Sequence, residues 1–279
     1  MDSLSEKKKR IYLIDIIRGI LIIYVVYYHF MYDLNDILGH EIPYLYSVWF
    51  STIRDCMSGS LIFISGISCN FSENNLKRGV RTILIAMVLT LVTLTVMPSQ
   101  TIIFGILHLL GTMMFLYGIA QYVIHRASEK RSKGDDGVNE QTADVKKYDS
   151  SVYIRLVFMI IFFVLFFVCR NIYYGWLELG FVRIDMPAFL YGGKNMFLYI
   201  MGFAQRLFSA DYYPVIPWGF LFLAGAMGGH IFKKKNLPGF LYKNFCRPLA
   251  FIGRHTMIIY VVHQPLLFGI FMIISAIKG

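Results

Sequence analysis

The chain alternates long apolar runs with short polar intervals. A helix needs about 20 mostly apolar residues to cross the hydrocarbon core of a bilayer. Runs of that order fall at about 11–32, 46–71, 80–97, 102–124, 152–169, 215–232 and 249–276. The third run ends at Pro98, and the turn Pro98-Ser99-Gln100-Thr101 leads directly into the fourth. Residues 126–151 are rich in Lys, Asp, Glu and Gly and lack apolar periodicity, which predicts a solvated, flexible linker. Residues 171–214 are mixed and aromatic and read as a loop. Within that loop, 196–204 is too short to cross and predicts an interfacial or re-entrant piece. An eighth span drawing on 186–204 stays open. The pattern predicts an all-α, polytopic transmembrane helix bundle of about seven spans, forming a single domain over 1–279.

Composition supports that frame. Of the 279 residues, 57% are hydrophobic and 16% are charged, with a mean hydropathy of +0.57. A soluble domain is about half apolar and a quarter charged. The net charge of +10 raises the question of nucleic acid. The basic residues, however, sit in short clusters between apolar runs, which is a signature of membrane topology, so no nucleic-acid partner is expected. Cys56, Cys69, Cys169 and Cys246 show no paired spacing, so neither a disulfide framework nor a metal site is expected. The basic start Lys7-Lys8-Lys9-Arg10 suits a signal peptide. No small-residue cleavage site follows it, and Asp15 and Arg18 interrupt the apolar stretch, so this segment reads as the first span.

Lys and Arg also set the orientation. They cluster before the first run, at Lys77, Arg78 and Arg81, through 126–151, and at Lys233-Lys234-Lys235 with Lys243 and Arg247. The alternate intervals at 33–45 and at the Pro98 turn have none. Cytoplasmic loops carry the excess of Lys and Arg, so the N-terminus is expected in the cytoplasm and the C-terminus outside. The 126–151 linker is then cytoplasmic and the 171–214 loop extracytoplasmic.

Ionisable groups inside a bilayer are costly, and by default they point to function. The first run carries Asp15, Arg18 and His29, with Asp33 just beyond. At about 100° per residue, Asp15 and Arg18 are helical neighbours, and Arg18 and His29 differ by about 20° in azimuth. One face thus presents an acid–base pair at the cytoplasmic end and a His–Asp pair about 16 Å along the axis. Asp33, one turn from His29, could orient the imidazole as a general base requires. Taken alone, Asp15 and Arg18 also suit a helix-end ion pair with Arg18 reaching the headgroups.

Further polar groups fall at compatible depths. These are His108 in the fourth run, and Arg254, His255, His263 and Gln264 in the seventh. Taken singly, His108 reads first as a helix–helix hydrogen bonder, and Ser65-Gly66-Ile67-Ser68 as a packing surface. The segment Asp211-Tyr212-Tyr213-Pro214-Val215-Ile216-Pro217-Trp218 suits sugar stacking or an interfacial aromatic belt equally.

Several strings together resemble a known family. They are Asp15-Ile16-Ile17-Arg18-Gly19, His29-Phe30-Met31-Tyr32-Asp33-Leu34, Phe63-Ile64-Ser65-Gly66-Ile67-Ser68 and Phe104-Gly105-Ile106-Leu107-His108. Asp211-Tyr212 with Pro217-Trp218, and Gly253-Arg254-His255-Thr256 with His263-Gln264-Pro265, complete the set. In order along nearly the whole chain they are similar to the catalytic domain of heparan-α-glucosaminide N-acetyltransferase and its short bacterial relatives. Arg18 and His29 also resemble the Arg–His signature of bacterial membrane O-acyltransferases that modify envelope glycans.

The resemblance implies a bacterial plasma-membrane enzyme with acyl-CoA, chiefly acetyl-CoA, as cytoplasmic donor. The acceptor it implies is an amino or hydroxyl group of an extracytoplasmic saccharide or glycolipid. It places the family's active-site histidine at His40 and an asparagine at the position of His29, whereas this chain has His at both. Spacing favours His29 as base or acyl carrier, with Asp33 orienting it and His108 or Gln264 donating to the oxyanion. The donor's phosphates are expected near Arg18, Asp15, Arg254 and His255, with Ser65 and Ser68 along its path. The acceptor is expected near Asp211, Tyr212, Trp218, His263 and Gln264. A homodimer is left open. The competing reading is a proton-coupled transporter in which the same His and Asp residues form a relay.

Overall fold

The computed structural model describes residues 10–132, 140–233 and 237–278. Among them the α-helices are α1 (Tyr12–Asp36), α2 (Val48–Ser68), α3 (Asn75–Val96), α4 (Ile106–Ser132), α5 (Glu140–Cys169), α6 (Met196–Met201), α7 (Val215–Gly228), α8 (Arg247–Arg254) and α9 (Thr256–Lys278). Strands β1 (Trp176–Leu179) and β2 (Val182–Asp185) pair antiparallel in the loop after α5. Apart from this small hairpin the fold is all-α, as the periodicity predicts.

Among the described residues, five helical stretches are long and apolar enough to cross a membrane. They are α1, α3, α4 over Ile106–Glu129, the apolar part of α5 from Val152, and α9. In α5 only 6% of the most apolar window is buried, and Val157, Val164 and Phe167 are more than half exposed. Apolar surface of that extent needs a hydrocarbon solvent, and a helix satisfies its own backbone there. The chain is therefore an integral membrane protein. The other two expected spans fall short of that standard. α2 carries Arg54 and Asp55 within its 21 residues, and α7 has 14 residues, about 21 Å at 1.5 Å each.

Other elements differ in extent from the expected runs. The segment 186–204 holds a short 3-10 turn at Ala188–Leu190 and the six-residue α6, about 9 Å long, neither long enough to span. The run expected as one span over 249–276 is broken between α8 and α9. At the break the His255 N–H reaches back only three residues to the Ile252 carbonyl, and Thr256 Oγ1 donates to the Gly253 carbonyl at 2.7 Å. The 126–151 interval is helical at both ends, because α4 runs to Ser132 and α5 begins at Glu140. Ala, Glu, Lys, Arg and Gln there favour helix without needing an apolar face, and His125 meets Glu129 one turn on. The middle of the expected linker, 133–139, lies outside the described residues.

By packing, the chain forms two compact units: Met1–Leu61 with Lys235–Gly279, and Ile62–Lys234. In the first unit α1 packs along α8 and α9, so the two ends of the sequence form one body. The approach of α1 to α8 is close. A Cβ at Gly19 would meet the Leu249 carbonyl oxygen, and one at Gly253 would meet the Asp15 carbonyl oxygen. In a bilayer, where apolar contact with lipid costs nothing, such small-residue contacts supply the packing that holds helices together.

The second unit uses the same device. α3 lies along α4 with Gly79, Gly111 and Gly118 in the seam, and α5 lies along α7. The end of α2 meets α7 through Gly66 against the Phe222 carbonyl and Gly225 against the Phe63 carbonyl. Buried amides tie the loop ends: Asn75 Nδ2 donates to the Cys69 carbonyl and Gln121 Oε1, each at 2.8 Å. Asn70 Nδ2 donates to the Ala226 carbonyl, also at 2.8 Å.

Candidate active site

The first unit gathers His29 and Asp33 from α1 with His263 and Gln264 from α9. The two imidazoles are 4.9 Å apart between ring centres. Asp33 is 1% exposed, His263 6% and Gln264 8%, so each is removed from solvent. Gln264 Nε2 donates to both Asp33 carboxylate oxygens, at 3.3 and 3.4 Å. This corrects the expected His29–Asp33 contact. Asp33 is one turn from His29 on the same helix, but its short side chain turns across to α9. Pro265 follows immediately inside α9, where its missing N–H leaves the carbonyl four residues back without its helical donor.

Hydrogen bonding fixes the remaining polarity. His263 Nδ1 lies 2.7 Å from the Tyr260 carbonyl oxygen. A carbonyl only accepts, so Nδ1 carries the proton and the neutral ring presents a bare Nε2. That Nε2 is buried and has no partner among the described residues, and neither has Gln264 Oε1. A buried polar atom left unpaired costs about 1–3 kcal/mol. The centre thus offers two orphan acceptors beside a carboxylate held by a single amide. Gln264, expected as an oxyanion donor, presents an acceptor instead, because its N–H groups are committed to Asp33.

Around this centre stands an aromatic and charged shelf that sequence reasoning missed. Tyr28 meets His29 edge to face at 5.6 Å and stacks on Phe50 at 5.6 Å. Arg54 donates to Tyr28 Oη at 3.4 Å, lies 5.9 Å from the Tyr28 ring centre, and pairs with Asp55 at 2.8 Å. The signal was two adjacent opposite charges inside an apolar run. His40 sits exposed in the loop after α1, behind Gly39 in the left-handed region at φ 66°.

At the other end of α1, Asp15 pairs with Arg10 at 2.6 Å rather than with the expected Arg18. Asp15 is buried and in the first turn of α1, where a carboxylate also faces the positive end of the helix dipole. Arg18 and Arg254 each adjoin one of the two crossing glycines, Gly19 and Gly253. Arg254 is exposed, with Nε donating to the Ala250 carbonyl at 3.2 Å. His255 Nδ1 lies 2.8 Å from the Phe251 carbonyl oxygen.

The remaining candidates belong to the second unit, and most serve it structurally. The Gly105 N–H donates to His108 Nδ1 at 3.3 Å, so Nε2 carries the proton and donates to Thr90 Oγ1 at 3.1 Å. His108 therefore caps the start of α4 and ties it to α3, with both nitrogens engaged. Asp211 Oδ2 accepts from the Ile106 N–H at 3.0 Å, capping the same helix from the loop. Tyr212 Oη donates to the Tyr199 carbonyl at 2.6 Å, and the two rings lie 4.5 Å apart. Burial raises the Tyr199 phenol to about 12 and raises that of Tyr212 as well, which keeps both as neutral donors. Trp218 packs edge-on against Phe166 at 5.4 Å and Tyr213 at 5.0 Å. Ser68 Oγ donates to the Ile64 carbonyl at 2.8 Å, and Ser65 lies half-buried one turn earlier on α2.

The fold and this centre define a helical integral membrane protein with a buried cluster of acid–base side chains. The sequence model of the family described as heparan-alpha-glucosaminide N-acetyltransferase, catalytic, matches residues 10–128 and 150–265. The chain belongs to that family, which is one of acetyltransferases. The match passes over 129–149, nearly the whole of the polar interval between α4 and the apolar part of α5. No curated protein and no solved structure matches the chain.

Proposed function

We propose that the protein transfers an acetyl group from cytoplasmic acetyl-CoA to an amino or hydroxyl group of an extracytoplasmic saccharide or glycolipid. In this reading it crosses a bacterial plasma membrane seven times with its N-terminus inside. The reaction centre is the cluster of His29, Asp33, His263 and Gln264. Arg18 and Arg254, with Asp15 and His255 beside them, meet the donor's phosphates at the cytoplasmic end, where guanidinium forks suit phosphate oxygens.

The observation that carries the reading is the pair of buried lone pairs on His263 Nε2 and Gln264 Oε1. An acceptor-rich, donor-poor centre away from water calls for a ligand that brings N–H or O–H groups. An amine or hydroxyl nucleophile brings them, and a nearby imidazole can take the proton as it attacks. The assignment of Asp211, Tyr212 and Trp218 to acceptor binding rests on the family resemblance, since Asp211 and Tyr212 bond to the start of α4 and to the Tyr199 carbonyl, and Trp218 packs against Phe166 and Tyr213.

The first measurement is calorimetric binding of acetyl-CoA to purified protein in detergent, with Arg254→Ala and His29→Ala alongside. Micromolar binding, weakened at least tenfold by Arg254→Ala and unchanged by His29→Ala, is expected. A folded, monodisperse wild type that binds no acetyl-CoA would sink the reading. The neighbouring imidazoles and the buried carboxylate would then favour a proton relay in a transporter.

A further inference from the structure

The structure treats the two imidazoles of the centre differently. No hydrogen bond to a described residue fixes the His29 ring. His263 is held on one side by Tyr260. Its Nδ1–H is held by the Tyr260 carbonyl at 2.7 Å, and its own ring and that of Tyr260 lie 5.3 Å apart. The opposite nitrogen, Nε2, is buried and has no partner among the described residues. A general base needs a defined tautomer, a bare lone pair and a dipole behind it that stabilises the cation once the proton arrives. His263 has all three within its own helix. A carbonyl takes the part that a carboxylate plays in the commoner arrangement.

The neighbouring residue completes the assignment. Asp33 holds the Gln264 amide by its N–H groups, which leaves Oε1 as a second buried acceptor next in sequence to the bare nitrogen. Asp33 therefore acts through Gln264, not through His29. It is a positioning residue that turns one acceptor toward the incoming nucleophile.

We propose that His263, through Nε2, is the residue that takes the proton from the acceptor substrate in acyl transfer. The inference rests on the acyltransferase reading above. As the acceptor's oxygen or nitrogen attacks the thioester carbonyl, its proton passes to Nε2, and the imidazolium holds Nδ1–H on the Tyr260 carbonyl. The tetrahedral adduct then collapses, the carbon–sulfur bond breaks, and the departing thiolate takes the proton back from Nε2. The products are the acylated acceptor and free CoA thiol, with His263 returned to its starting state.

The test compares wild type, His263→Asn and His29→Asn in detergent by thiol release from acetyl-CoA, with glucosamine and with water alone as acceptor. In His263→Asn the new amide can still donate to the Tyr260 carbonyl, so the fold is kept while the basic nitrogen is lost. The expected result is a fall in kcat of at least 100-fold, with KM for acetyl-CoA within about twofold, as loss of a general base requires. Wild-type activity should decline as pH is lowered, because the base must be neutral to accept a proton. That decline should vanish from the residual activity of His263→Asn and persist in His29→Asn. A His263→Asn protein with near wild-type kcat, or with the wild-type pH profile, overturns the inference and leaves the acyltransferase reading standing. A wild type that binds acetyl-CoA but releases no thiol to either acceptor overturns it as well. A wild type that does not bind acetyl-CoA overturns both.

Discussion

Single polar residues in this protein divide by whether their hydrogen bonds are used up. His108 and Asp211 look like site residues in the sequence, yet the first spends both nitrogens on Gly105 and Thr90, and the second takes an N–H from the start of α4. Replacing Asp211 with Ala removes a cap worth about 1 kcal/mol. Thermal unfolding in detergent should therefore show a lower midpoint, while acetyl-CoA affinity stays unchanged. A variant of unchanged stability but raised KM for the acceptor would instead make Asp211 a substrate contact. The sequence carried part of this picture. The shared azimuth of Arg18 and His29 on α1 and the adjacent placement of His263 and Gln264 within α9 follow from the sequence and helical periodicity. The bond from Gln264 to Asp33 spans 231 positions, and no local pattern encodes it. The pairing of Asp15 with Arg10 turned on which of two nearby arginines the chain bends back to offer, and spacing alone does not decide that.

At the level of elements, the helices meet where glycines let backbones touch. The crossing of α1 and α8 is the tightest test, because the obstacle to a side chain at Gly253 or Gly19 is a carbonyl oxygen that cannot move aside. Gly253→Leu is expected to destabilise the first unit by about 3 kcal/mol, the upper end for overpacking. The readout is loss of the monodisperse species on size-exclusion chromatography. Gly239→Ala is the control, since a Cβ there meets nothing within 4 Å, and it should behave as wild type. The long apolar elements were legible because twenty apolar residues admit few alternatives. The break between α8 and α9 was not. It falls at His255, where an apolar run continues on either side and the interruption lies in hydrogen bonds that reach back three residues instead of four.

At the scale of the whole molecule, the charge pattern carries the proposed orientation. With Lys and Arg clustered in alternate intervals, and with the seven crossings proposed above, the two termini should lie on opposite faces of the membrane. A membrane-impermeant thiol reagent applied to intact cells, in a background lacking Cys56, Cys69, Cys169 and Cys246, should label Gly279→Cys and spare Ser3→Cys. Labelling of both or of neither would place the termini on the same side and remove the seven-span count. The first unit joins the earliest helix to the last, and this has a consequence for biosynthesis. Asp33 is made some 231 residues before Gln264. At roughly 10 residues per second, the ribosome needs roughly 20 s to supply its partner. Through that interval α1 must wait in the translocation machinery or the bilayer with an acidic side chain unmatched. The proposed reaction centre is thus among the last parts of the newborn chain to exist, and a protein stalled short of α9 would lack it.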